Sequence, residues 1–135
     1  MPYIEWSDKL SVGVNVIDEQ HKILFQIIND LHDAMKAGKS KAIIRDVFAR
    51  LIDYTNFHFA METRLMDENA YGEASEHKKM HNDLVDDVVA LQKKLESSEL
   101  TIGVQVLTFL KVWLNEHILK TDKKLGEYLN SKGIR

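Results

Sequence analysis

The sequence predicts an all-α protein: an up-down-up-down antiparallel four-helix bundle with an N-terminal extended arm and a short C-terminal helical tail. Three observations lead there. Proline occurs only at Pro2, so proline bars no later segment from being helical. Apolar residues recur in steps of three and four along four successive stretches, the period of one helical face. Short breaks carrying glycine, asparagine or paired serines separate those stretches, which suits antiparallel neighbours. At 135 residues the chain reads as a single domain, with 1–16 as arm and 17–135 as bundle and tail.

The opening to Val16 mixes Tyr3, Ile4, Trp6, Leu10, Val12 and Val14 with Ser7, Asp8 and Gly13, without a helical period. It reads as an extended arm laid over the body and anchored by Trp6. The first helix is expected from Asp18 as N-cap to Gly38 as C-cap, with Ile17, His21, Leu24, Ile28, Leu31 and Met35 facing inward. The second, from about Ser40 to Asn69, carries the column Ile44, Val47, Leu51, Tyr54, His58, Glu62, Leu65. This stripe turns polar for one turn and then apolar again, the pattern of a buried polar cluster. Asn69-Ala70-Tyr71-Gly72 supplies the break.

The third helix, from about Glu73 to Glu96, aligns His77, His81, Leu84, Val88, Leu91 and Leu95, and Ser97-Ser98 marks its end. The fourth begins near Thr101, an N-cap candidate, with the column Val106, Leu110, Trp113, His117. Asp122 follows His117 by five residues, about 500° on an ideal helix and so about 140° off the His117 direction. An exposed Asp122 among Lys120, Lys123 and Lys124 is the simpler expectation. It joins His117 only if the helix loosens around Leu119 to Thr121. In the tail, Tyr128 and Leu129 are placed to close the bundle end.

Threaded through an antiparallel bundle, these columns bring chemistry to one level. His21 lies near the start of the first helix, His58 and Glu62 near the end of the second. His77 and His81 lie near the start of the third, and His117 near the end of the fourth. Buried imidazoles and carboxylates are costly unless paired or metal-bound. His32, three turns beyond His21, lies about 16 Å further along the axis, too far to share one cluster.

The donor set is nitrogen and oxygen only: His21, His58, His77, His81, His117, Glu62 and Asp122. Seven ligands exceed one tetrahedral zinc and suit two ions that share bridging carboxylates. Iron, manganese or zinc fit this set better than copper(I), calcium or magnesium. The chain has no cysteine, which excludes disulfides, thiolate zinc, iron–sulfur clusters and thiol chemistry. A net charge of -3 with interspersed signs offers no basic stripe for nucleic acid. MPYIEWSDKL lacks the flank and apolar run of a signal peptide, and no apolar run approaches a membrane span, so a cytoplasmic location is expected.

The order His21 … His58-x3-Glu62 … His77-x3-His81 … His117-x4-Asp122 resembles that of the hemerythrins in their single-domain bacterial form. So do the phrases around it: IDEQHKILF, HFAMET, EHKKMH, and WLNEHI followed by TDKKL. The resemblance covers essentially the whole chain. It implies a non-haem di-iron centre, two iron ions with an oxo or hydroxo bridge, that binds dioxygen reversibly for storage, delivery or scavenging. By the same resemblance His77, His81 and His117 hold one iron, His21 and His58 the other, and Glu62 and Asp122 bridge them. Counted with the solvent bridge, the donors leave one position open, on the iron with two histidines. Leu24, Phe59, Trp113, Leu114 and Ile118 match the family's apolar oxygen pocket.

The resemblance favours a binding protein over an enzyme, with dioxygen and an oxygen-consuming enzyme as partners. An oxygen or redox sensor module is one alternative; a di-iron peroxidase or nitric-oxide-handling protein, for which Tyr54 would be the redox tyrosine, is another. A structural zinc bundle would need fewer ligands. No exposed apolar patch stands out, which favours a monomer.

Overall fold

Four long helices and their caps follow the local chemistry of the chain. The computed structural model describes residues 2–97 and 101–135, with side chains described outside 95–104. Helix α1 spans Asn15–Lys36, α2 Lys41–Glu68, α3 Ala74–Ser97 and α4 Thr101–Glu116. A π-helical segment, His117–Asp122, continues α4 directly into α5, Lys123–Ser131. Gly38, at φ 65°, takes the left-handed conformation that stops α1, and the Lys39 amide reaches back to the Ala34 carbonyl at 3.0 Å. Ser40 then caps α2, its hydroxyl accepting from the Ile43 amide at 3.3 Å. After α2, Ala70 at φ 51° turns the chain into α3.

α1 packs on α2, α2 on α3, and α4 closes the ring against both α1 and α3. This is the expected antiparallel four-helix bundle. Leu24, Ile28, Leu31, Phe48, Leu51, Val88, Val106 and Leu110 fill its centre. The expected inward columns are buried along their apolar lengths, with Met35, Val47, Tyr54, Leu65, Leu91 and Trp113 half-buried at the margins. The predicted break at Ser98 and the inward placement of Leu95 lie outside the described residues, as does the residue that would cap α4.

The arm departs from expectation in one respect. α1 begins at Asn15, and Asp18 does not cap it; the N-cap is Val14, with no side-chain cap bond. Asp18 sits in the first turn, where a carboxylate is favoured by the helix dipole, and ties down the arm. It accepts from the Ser11 hydroxyl at 2.6 Å and the Val12 amide at 2.9 Å. The rest of the arm runs antiparallel to α1. Asn29 exchanges two hydrogen bonds with the Ile4 backbone, each 2.9 Å, and Trp6 packs edge-on against Phe25. A 3₁₀ turn, Asp8–Leu10, bends the arm before Val12.

The tail completes the same end. Leu125 and Leu129 are fully buried, and Tyr128 donates to the Asn69 carbonyl at 2.6 Å across the α2–α3 turn. Gly126 has no room for a side chain, since a Cβ there would stand 2.0 Å from the Val12 carbonyl oxygen. Arm, α2–α3 turn and α5 therefore lock together around one end of the bundle.

Candidate metal centre

At that end the bundle interior is polar. His21, Glu62 and Asp122 are each 0% exposed, and His58, His77, His81 and His117 are buried with them. α1 contributes His21, α2 His58 and Glu62, α3 His77 and His81, and the π-helical segment His117 and Asp122. The i→i+5 bonding of a π turn makes five residues close to one full turn. That is why Asp122 returns to the His117 side, where an α-helix would have carried it to solvent.

The two carboxylates divide the imidazoles between them. Glu62 Oε1 lies 3.2 Å from Nε2 of both His77 and His81, while its Oε2 lies 3.2 Å from His58 Nε2 and 3.8 Å from His21 Nε2. Asp122 Oδ1 faces His77 at 3.0 Å and His117 at 3.2 Å, and its Oδ2 faces His21 at 3.1 Å. Two overlapping groups result: Glu62, His77, His81, His117 and Asp122, and His21, His58, Glu62 and Asp122. Within each, the facing atoms lie within 4.8 Å of one another. His32 is remote from both and stacks on Tyr3 at 4.6 Å.

Close as these contacts are, they are not hydrogen bonds. All four carboxylate oxygens, with Nε2 of His21 and of His77, lack a hydrogen-bond partner. Buried polar atoms are rarely orphaned in this way, so the donor set has the chemistry of a metal centre. For bonds of about 2.1 Å the edge of an octahedron is about 3.0 Å, close to the spacing found here. The residues fit a pair of divalent ions, and iron suits their nitrogen and oxygen chemistry.

The metal-free electrostatics tell the same story. Burial pushes the His77 imidazole down, but the close approach of Asp122 and Glu62 outweighs it and raises the group to about 9. His58 is raised as well, burial losing to the Glu62 charge. His81 is lowered, chiefly by burial. Burial pushes Glu62 and Asp122 up, yet the surrounding imidazoles hold both well below the usual carboxylate range. Without an ion, protons on histidine supply the positive charge that the buried carboxylates require.

Neighbouring side chains hold the imidazole planes. Phe59 stacks on His81 at 3.6 Å with an interplanar angle of 3°, and Trp113 stacks on His117 at 4.3 Å. Gln20 Oε1 lies 2.7 Å from His58 Nδ1. Gln20 was invisible to column arithmetic: it precedes His21 and faces α2 from the flank of the stripe.

One turn deeper lies an apolar cavity of about 20 Å³, room for about one water-sized molecule. Leu24, Phe59, Trp113 and Leu114 line it, together with Leu51 and Leu84 among others. Ile118, also expected there, is fully buried but is not part of its lining. Thr55 is the polar side chain in the wall, and its hydroxyl donates to the Leu51 carbonyl at 2.7 Å. Tyr54 packs beside Phe57 instead and does not reach the cavity.

Known proteins resemble this chain in sequence and fold. A family model described as hemerythrin HHE cation binding domain matches residues 12–129. A bacteriohemerythrin of Pseudomonas aeruginosa is 38% identical over 122 residues, covering 90% of this chain and 78% of that protein. A bacteriohemerythrin of Methylococcus capsulatus is 33% identical over 132 residues, covering 97% of this chain and 100% of that one. Among solved structures, wild-type hemerythrin superposes with a TM-score of 0.86 at 32% identity, over 94% of this chain and 98% of that chain.

Proposed function

Because the chain belongs to the hemerythrin family and binds dioxygen at a di-iron centre, we propose how its residues divide that work and that it acts as a reversible carrier. His77, His81 and His117 would hold one iron and His21 and His58 the other, with Glu62 and Asp122 shared between them. A ferrous pair held in this way would supply the two electrons that dioxygen takes up on binding and gives back on release. The protein donors are unequal, three imidazoles in one group against two in the other, so His21 and His58 would leave their ion the position free for dioxygen.

The observation that carries this reading is the split of each carboxylate. One Glu62 oxygen faces His77 and His81 while the other faces His58, and Asp122 is shared likewise. A single-ion site has no use for a carboxylate turned two ways.

Reversibility asks the surrounding chain to keep protons away. Leu24, Phe59, Trp113 and Leu114 wall an apolar space that excludes water. The Thr55 hydroxyl is committed to a backbone carbonyl, and Tyr54 stands elsewhere. A peroxidase or nitric-oxide reaction would want a proton or electron donor at this wall, so these placements favour storage, delivery or scavenging of dioxygen over catalysis. Among the described residues no helix is long and apolar enough to cross a membrane.

The test is an optical titration. The protein is loaded anaerobically with ferrous iron, exposed to air, and purged with argon. A ligand-to-metal charge-transfer band that appears in air and vanishes on purging, at two irons per chain, is the expected result. Irreversible conversion to a ferric form would point to oxidase or peroxidase chemistry, and an absence of colour to a structural metal site.

A further inference from the structure

The centre has a second face. A groove of about 280 Å³ opens at the surface between the start of α3 and the π-helical segment, and the one buried side chain in its lining is His77. Tyr71, Glu73, Glu76 and Met80 line it from α3 and the turn before it, and Lys120, Thr121 and Lys124 from the other wall, so two carboxylates face two ammonium groups across it. His77 is 2% exposed, and its Nδ1 has no hydrogen-bond partner. A buried candidate ligand thus lies at the base of a surface groove rimmed by charged side chains.

Closure of the groove is slight. Lys124 donates to Glu73 at 3.0 Å, a pair whose side chains are 63% and 46% exposed. The Thr121 hydroxyl meets the Met80 sulfur at 3.5 Å. Exposed ion pairs contribute little and open readily. Once Lys124 swings away, Glu73 is free to meet an incoming cation beside Glu76.

We propose that this groove is the port through which divalent metal ions reach and leave the centre, with Glu73 and Glu76 as first contacts and His77 as the ligand that passes the ion inward. The proposal rests on the two-ion reading above. It separates the two ligands in space: a groove rimmed by charge for the cation, and an apolar cavity for the gas. Lys124 competes with the cation for Glu73, so it slows traffic in both directions.

Cobalt(II) uptake by the metal-free, full-length chain tests this, read as the growth of ligand-field absorption with total cobalt measured at the end. Replacing both carboxylates, Glu73→Gln with Glu76→Gln, slows uptake about tenfold, the scale on which a charged cleft concentrates ions. Met80→Trp slows it by obstruction, Lys124→Ala speeds it, and the charge effects shrink at high salt. All four positions are exposed, so folding is not at stake. Removing two carboxylates at the far end, Asp33→Asn with Asp46→Asn, leaves the rate unchanged. Uptake by the groove variants at the rate of that control would overturn the port while leaving the centre intact. An endpoint below two cobalt ions in the unsubstituted protein would instead overturn the two-ion reading and the port with it.

Discussion

Gln20 Oε1 and His58 Nδ1 approach to 2.7 Å in the buried interior, joining α1 to α2 beside the centre. An amide oxygen only accepts, so His58 carries a proton on Nδ1, which leaves Nε2, the nitrogen 3.2 Å from Glu62, as the ring atom open to a metal. This fixes which ring nitrogen a metal takes once it displaces the proton shared with Glu62. Gln20→Ala leaves a buried donor unmet, at about 1–3 kcal/mol, and weakens the ion held by His21 and His58 by about 10–100-fold. Competition against a chelator measures this. Equal affinity for both ions before and after substitution would show that the contact is packing alone.

The contrast between Gln20 and the ligands explains what the sequence could and could not disclose. His58, Glu62, His77 and His81 stand four apart on regular helices, so period alone placed them on inward faces. His21 and His117 were legible because helix order sets the level at which each column turns polar. Asp122 was not, since ideal α geometry sends it outward and only the π turn brings it back. Asp18 misled in the opposite way. Its residue type fits an N-cap, but its partners are Ser11 and Val12, contacts that depend on how the arm folds over α1.

The π turn makes its own prediction. A π turn is one residue inserted into an α-helix, so deleting Lys120 restores regular α geometry without rotating α5 relative to α4. Asp122 then sits four residues from His117, the spacing that His58 and Glu62 already use. The shortened chain should still take two ions per molecule, counted by elemental analysis, whereas inserting an alanine at the same place should lose one. Loss of metal in the deletion would mean that the wide turn itself aims the carboxylate.

Protons and metal compete for the same atoms, which fixes the sign of the pH response. His77 rises from 6.5 to about 9 in the metal-free fold, so its contribution to stability is full below 6.5 and is lost as pH rises through about 9. His58 acts in the same direction, and His81, lowered by burial, opposes them. Glu62 and Asp122 are held below their ordinary 4.5 and 3.8, so their contribution is present above those values and lost as pH falls. The metal-free protein is therefore most stable between the carboxylate range and 6.5, and its melting temperature falls toward pH 9. Metal binding displaces the histidine protons, so the loaded protein moves the other way. Melting curves of both forms across this range should diverge as pH rises; parallel curves would show that histidine protons do not compensate the buried carboxylates.

Dryness of the cavity is the last property open to direct test, and Thr55 and Leu114 test it in opposite directions. The Thr55 hydroxyl lies in the wall but donates to the Leu51 carbonyl at 2.7 Å, so it has no proton to lend. Thr55→Val preserves shape and removes the hydroxyl, and the absorption band formed in air should decay at an unchanged rate. Leu114→Gln places an uncommitted amide donor in the same space. A positioned proton donor accelerates a reaction by about a hundredfold or more, so the band of this variant should bleach irreversibly at least that much faster. The same comparison separates proton exclusion from simple volume, because leucine and glutamine are close in size. If Leu114→Gln bleached no faster than the unsubstituted protein, apolar lining would not be what keeps binding reversible; if Thr55→Val slowed the decay, its hydroxyl would be a working proton source despite its bond to Leu51.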